Sequence, residues 1–463
     1  MREPGDVLLV ACYELGHQPL AVAWPAAFLE RAGYRPALMD TSVEPLDAEK
    51  LARAKAIAVS VPMHTALRLG LEVAARARAV NPAAHVCFFG LYATLNAEFL
   101  FAHGVDSVIG GEAETPLLAL VEALERGDAG PVPAVSRPGR PAAPHLRRLD
   151  FPVPSRAGLP AIKQYAHLER DGRMELTAYV EASRGCLHRC RHCPIPPVYG
   201  GRFFAVPREV VLADVQQQVE AGARHVTFGD PDFLNGPTHA LAVARDLHAA
   251  WPDVTFDFTA KIEHLLRHRA HLPALREAGC LFVVSAAESL SDTVLAHLEK
   301  GHTRADIETA LAATRAAGIT LRPTWVAFTP WTTLDDHRAW LDFLAAESLI
   351  DHVDPVQYGL RLLVPPGSLL LETDALRPHL GPLEQATLSY RWTHPDPRMD
   401  RLQAETAELV ERAVGMQADA PGIFDRVRAM AAEAAGAAAP EPVRPAMPAD
   451  RRRPPRLSEA WFC

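Results

Sequence analysis

"SRGCLHRCRHCPIP", residues 183–196, puts three cysteines, Cys186, Cys190 and Cys193, into one polar loop, with spacings of three and then two residues between them. No fourth cysteine stands beside them. Thiolates are soft ligands for iron–sulfur clusters and for zinc, and ligands this close can wrap one metal centre. A structural zinc normally closes four positions from two paired knuckles, and here the second knuckle is missing. His188 and His192 would have to fold back into the same tight turn to complete a zinc site, so the expectation for both is a solvated loop position. A cubane cluster held by three thiolates leaves one iron without a protein ligand. That open corner can take an amine and a carboxylate from a small molecule.

The loop follows the first strand of a βα alternation. "LTAYVEAS", "RHVTFGD", "VTFDFTA", "LFVVSAA", "ITLRPTWVAF" and "DPVQYGLRLLV" read as strands with helices between them. In "REVVLADVQQQVEAG", Val211, Val215 and Val219 fall on one stripe and Gly222 ends the helix. Six such units over residues 169–400 suit a partial (β/α)6 TIM-type barrel, whose active site gathers at the carboxyl ends of the strands.

Upstream, residues 1–128 alternate the apolar runs "DVLLVAC", "RPALMD", "AIAVSV", "HVCFFG" and "VDSVIGG" with amphipathic segments. This pattern predicts an α/β, doubly wound parallel sheet covered on both faces, with ligands beyond its carboxyl ends. Residues 129–168 are dense in proline, which lacks a donor and disfavours helix before it, and are expected to be a linker wrapped on the surface. A helical extension over 401–440 and a Pro/Arg-rich tail over 441–463 complete the chain.

At 463 residues, with 49% apolar and 22% charged side chains, the composition is that of a globular protein of two or three domains. A net charge of -9 provides no basic face for a nucleic-acid backbone. The basic run "DRRRPPR" reads as a solvated segment. No signal peptide precedes "VLLVAC", and no apolar run approaches the roughly 18 residues that cross a bilayer, so the expected location is cytoplasmic. Seven cysteines, three of them clustered, point to reduced thiols and metal or redox chemistry. Cys12, Cys87 and Cys280 lie in apolar strand contexts and are expected to be buried small hydrophobes.

With this spacing, after the first strand of a partial barrel, "CLHRCRHC" resembles the signature of radical S-adenosylmethionine (SAM) enzymes. The resemblance implies a 4Fe–4S cluster on Cys186, Cys190 and Cys193, chelation of SAM at the unique iron, and one-electron cleavage to a deoxyadenosyl radical that abstracts hydrogen. It also implies an electron donor such as a flavodoxin or ferredoxin, and a small-molecule or peptide substrate. In "FGDPDFLNG", Gly229 and Asp230 match the small residue and carboxylate that receive the SAM ammonium; turn or capping chemistry is the other account of Asp230 and Asp232. Lys261 and Arg322 could meet the SAM carboxylate or be rim cations. Glu288 matches a position near the ribose hydroxyls, or caps the helix that begins nearby.

Residues 1–128 resemble the cobalamin-binding, Rossmann-type domain that precedes such barrels, with "GVDSVIGGEAETPLLALVEAL" as its closing strand, turn and helix. The histidine motif that ligates cobalt is absent, His17 lies at the wrong spacing, and the usual double glycine near residue 90 reads Phe89, Gly90. Cobalamin would therefore bind without a protein ligand to cobalt, or the fold serves another role. "VDPVQYGLRLLVPPGS", "YRWTHPDPRMD" and the ending "AWFC" resemble the radical SAM family named for its CUAEP/CCAEP tail. On that resemblance Cys463 is the first residue of a redox tail whose selenocysteine codon was read as a stop, making the natural product a selenoprotein.

Two functions follow. One is a radical SAM enzyme, transferring methyl groups if cobalamin is present. The other is a ligand-sensing protein in which a metal staples the loop without radical catalysis.

Overall fold

The computed structural model describes residues 1–416, 418–443 and 453–458; Cys463 and most of the tail lie outside the described residues. The first sheet contains β1 (Val7–Ala11), β2 (Ala37–Asp40), β3 (Ala56–Ser60), β4 (His85–Phe89), β5 (Ser107–Ile109) and β6 (Val135–Ser136), in the order 2-1-3-4-5-6. β1 to β5 are parallel. Every residue of β1 and β3 is buried because helices such as Leu20–Arg31 and His64–Val80 cover the two faces. The order reverses between β1 and β3, the switch point beyond which ligands of such sheets bind.

The second sheet includes β7 (His167–Arg170) and β8 (Arg173–Val180). Beyond the short strands β9 (Ser183–Gly185) and β10 (Phe203–Ala205) it continues through β11 (His225–Phe228), β12 (Thr255–Thr259), β13 (Cys280–Glu288) and β14 (Thr320–Trp325). β8, β11, β12, β13 and β14 run parallel as an open half-barrel, and β7 is an antiparallel edge. The sixth position is occupied by a single parallel bridge, Phe328 to Arg361. Ahead of it, Pro355–Gly359 forms a 3-10 turn where a longer strand was expected, since Pro355 cannot donate to a ladder.

After the barrel come the hairpin β15 (Leu380–Glu384) and β16 (Ser389–Trp392), the helices Pro397–Gly415 and Ala420–Ala434, and β17 (Arg456–Leu457) on the β7 edge. Arg361 lies 3.5 Å over the Trp392 ring and 2.8 Å from Asp400 Oδ1, joining segments 353–368 and 390–400.

The proline-rich stretch is more than a surface wrap. Val135–Ser136 adds an antiparallel strand to β5. Leu149, Phe151 and Ile162 enter the barrel's hydrophobic core together with Leu20, Trp24 and Phe28 of the first domain. Arg156, itself buried, binds both oxygens of Asp214 at 2.7 Å, Gln18 Oε1 at 2.8 Å and the Tyr179 carbonyl at 2.7 Å. Cys12, Cys87 and Cys280 are buried as expected.

Candidate functional site

The cysteine loop leaves β9 and returns through β10, and the two strands pair Gly185 with Phe203 at its neck. Gly185 has φ +74, and a Cβ there would come 2.4 Å from the Arg202 carbonyl oxygen, so only glycine permits the closure. Asn235 Oδ1 accepts from Leu187 N at 3.2 Å, and Arg191 N donates to the Leu298 carbonyl at 3.0 Å, tying the loop to the segments after β11 and β13. Burial raises the Cys186 thiol and pushes Cys193 up to about 12, and the nearby Cys190 adds to both shifts.

Such thiols stay protonated in a dry pocket unless a metal binds them as thiolates. Among the described residues, the one group of three or more donors whose ligand atoms all lie within 4.8 Å of one another is His188, Asp232 and His264. The three cysteines come from one short loop, whereas a structural zinc is usually closed by four ligands from two paired knuckles. The donor set therefore fits a multi-iron cluster better than a single zinc.

Asp230 is buried and accepts from Ala182 N at 2.9 Å and Ser183 Oγ at 2.5 Å; burial raises its carboxyl to about 7. Asp232 caps the turn Phe233–Asn235 through Leu234 N. Gly229 lies under the Tyr179 ring, where a Cβ would come 2.3 Å from Cζ. Lys261 is buried, with Nζ 3.3 Å from His188 Nδ1 and 3.4 Å from Glu263 Oε2. Glu288 does not cap a helix. Its carboxylate meets His192 Nε2 at 3.1 Å and Lys300 Nζ at 3.2 Å, on a backbone with φ +64. Burial alone would raise this carboxyl, but Lys300 and His192 hold it well below the carboxylate range.

Arg322 pairs with Asp354 at 3.2 Å and stands level with Thr259 across the sheet, two residues short of Lys261. His188 and His192, expected in solvent, are half-buried and engaged, because the loop folds inward onto the strand ends. The sequence reading did not single out His264, Glu263 or Lys300; their one signal is a place just after β12 or β13. Buried polar atoms without partners surround this end of the barrel and its strands: Asn235 Nδ2, His192 Nδ1, His302 Nδ1, Ser285 Oγ and Arg322 Nη1. Such orphans suit a polar ligand.

The carboxyl-end loops of the first sheet turn toward the barrel. After β1, Gly16 accepts from Ala166 N, and His17 stacks on Tyr179 with centroids 4.5 Å apart. After β3, His64 Nε2 lies 2.5 Å from the Thr387 carbonyl oxygen. After β4, the helix Leu91–Leu95 packs on Ile195–Tyr199, which follows the cysteines. After β5, Glu112 accepts from Tyr199 Oη at 2.8 Å, and Glu112 and Glu114 flank Arg184. Ser60 Oγ, at the carboxyl end of β3, is buried without a partner, as a ligand at the switch point would require. The ring of His17 is held against Tyr179, so cobalamin bound there would lack it as a cobalt ligand.

Residues 180–339 match the radical SAM superfamily and residues 7–121 match the B12 binding domain. An uncharacterized methyltransferase of Pyrococcus horikoshii is 24% identical over 58% of this chain and 60% of its own. The hopanoid C-3 methylase of Methylococcus capsulatus is 25% identical over 68% of this chain and 62% of its own. The chain thus spans about three-fifths of the length of both relatives. A solved structure of the cobalamin-dependent SAM radical enzyme OxsB, with aqua-cobalamin and SAM bound, covers 88% of this chain and 67% of its own with a TM-score of 0.71 at 15% identity, a likeness of fold.

Proposed function

We propose, from a radical SAM domain preceded by a B12-binding domain, that this chain is a cobalamin-dependent radical SAM enzyme that transfers a methyl group to a small molecule or peptide. The observation that carries this reading is the opposition of two carboxyl edges. The ligand-binding edge of the first sheet and the cysteine-bearing edge of the half-barrel face each other, joined through Tyr179, Arg184 and Tyr199. Cofactors on the two edges would share one water-poor cleft.

The chain's residues divide the work. Cys186, Cys190 and Cys193 would hold three irons of a 4Fe–4S cluster, and the neck at Gly185 would fix their loop. Gly229, Asp230, Lys261, Glu288 and Arg322 would surround SAM, with the buried carboxylates and cations orienting its ammonium and carboxylate. When bound, the cluster supplies the electron that cleaves SAM and the cobalamin carries the methyl group. Within this type, the likeness of segments 353–368 and 390–400 to the CUAEP/CCAEP-tail family is the ground for reading the chain as one of that kind.

Anaerobic reconstitution followed by cobalamin titration tests the reading. One cobalamin per chain, with a spectrum showing no nitrogen ligand from the protein and unchanged in His17→Ala, supports it. Failure to bind cobalamin by a chain that still carries its cluster removes methyl transfer. A colourless chain that takes up one zinc and no iron is the metal-stapled binding protein instead.

A further inference from the structure

A second set of metal-type donors lies beside the cysteine loop. His188 Nε2 comes from the loop itself, Asp232 Oδ2 from the turn after β11, and His264 Nδ1 from the first turn of the helix Ile262–Arg267 after β12. The three atoms form a triangle with sides of 3.3, 2.9 and 3.4 Å. Nitrogen and oxygen ligands about 2.1 Å from one ion stand about 3.4 Å apart in a tetrahedron and about 3.0 Å apart in an octahedron. The triangle already has these dimensions.

Without a metal both rings donate to Asp232, and that carboxylate is then crowded. Asp232 Oδ2 is approached by His188 Nε2, His264 Nδ1 and Lys261 N, the last at 3.1 Å, three nitrogens for two lone pairs, while Oδ1 accepts from Leu234 N. If both rings donated to this oxygen, their N–H groups would also crowd each other across 3.4 Å. A cation inside the triangle lets both rings turn lone pairs inward. Behind the His188 ring stand Lys261 Nζ, 3.3 Å from Nδ1, and Glu263 Oε2, 3.7 Å from it; with the cation bound, Nδ1 carries the hydrogen and faces the carboxylate, and Lys261 turns from Nδ1 to Glu263, which it already meets at 3.4 Å. A carboxylate behind a ligating imidazole is the usual support of such a ligand.

We propose that His188, Asp232 and His264 form a mononuclear site for a divalent first-row transition cation, separate from the three-cysteine centre and independent of the methyl-transfer reading. Two imidazoles and one carboxylate suit zinc, iron(II) or cobalt(II). The site clamps the cysteine loop to the ends of β11 and β12.

The test uses the full chain with its cluster reconstituted, dialysed anaerobically against cobalt(II) and counted for both metals. One cobalt per chain is expected, with X-ray absorption at the cobalt edge showing nitrogen and oxygen neighbours and no sulfur. His264→Ala and Asp232→Asn should abolish cobalt retention while iron content stays unchanged, and Glu263→Gln should weaken affinity by about 10- to 100-fold. Absence of cobalt from the wild-type chain, sulfur in the cobalt shell, or full retention in both variants overturns the proposal. Where a variant also loses iron, the wild-type absorption spectrum decides alone.

Discussion

Alanine at Gly229 would separate two reasons for a glycine beside the proposed SAM site. Its Cβ would come 2.3 Å from Tyr179 Cζ and 2.4 Å from Oη, about 1 Å inside ordinary contact, which begins at 3.4 Å. The Tyr179 ring cannot simply swing aside, because His17 is stacked on it with planes 7° apart, and the Tyr179 carbonyl is held by Arg156. Overpacking of this kind costs about 1–3 kcal/mol, and the rigid stack places Gly229→Ala near the upper end. Thermal unfolding of Gly229→Ala, Tyr179→Ala and the double variant forms a cycle. The expected outcome is a loss of about 2–3 kcal/mol in the wild-type background and less than about 1 kcal/mol where the ring is gone. Equal destabilisation in both backgrounds would refute the steric account. If Tyr179→Ala restores stability to Gly229→Ala but SAM affinity stays low, the missing side chain also makes room for the ligand.

Arg156→Met would strand the buried Asp214 carboxylate and should cost about 3–5 kcal/mol in denaturant titration, most of it recovered in Arg156→Met/Asp214→Leu; an exposed-pair cost below about 1 kcal/mol would contradict the burial. Glu288→Ala should cost a similar amount by leaving the Lys300 ammonium unpaired, with Lys300→Met compensating. Burial holds His337 at about 4 against its ordinary 6.5, so the unfolded chain takes up that proton first as pH falls. Stability is therefore intact above pH 6.5 and drains between there and pH 4, by about 3 kcal/mol for this residue. His337→Leu should flatten that part of the stability profile, and an unchanged profile would refute the assignment.

The parallel strands were legible because burial on both faces writes them as continuous apolar runs, as in "AIAVS". The same rule misread "DPVQYGLRLLV": Tyr358 is fully covered from a 3-10 turn without belonging to a strand, and Leu363 is exposed. Proline density in 129–168 hid the few apolar anchors that tie the segment into two cores. Cys186, Cys190 and Cys193 were readable because all three ligands sit in one short loop. His264 was not: it meets His188 across 76 positions, a proximity set by adjacent strand ends. The backbone at Glu288, with φ +64, likewise has no signature in a sequence where glycine would be the usual choice.

The central claim is that three thiolates hold a cluster with one iron open to SAM. It is tested most directly by reconstituting the chain anaerobically, reducing it in the presence of SAM, and measuring iron and 5′-deoxyadenosine together. The account predicts about four irons per chain and deoxyadenosine formation that disappears in Cys186→Ala, Cys190→Ala and Cys193→Ala. A chain that binds no iron, or a fully loaded cluster whose SAM stays uncleaved under reduction, would contradict it.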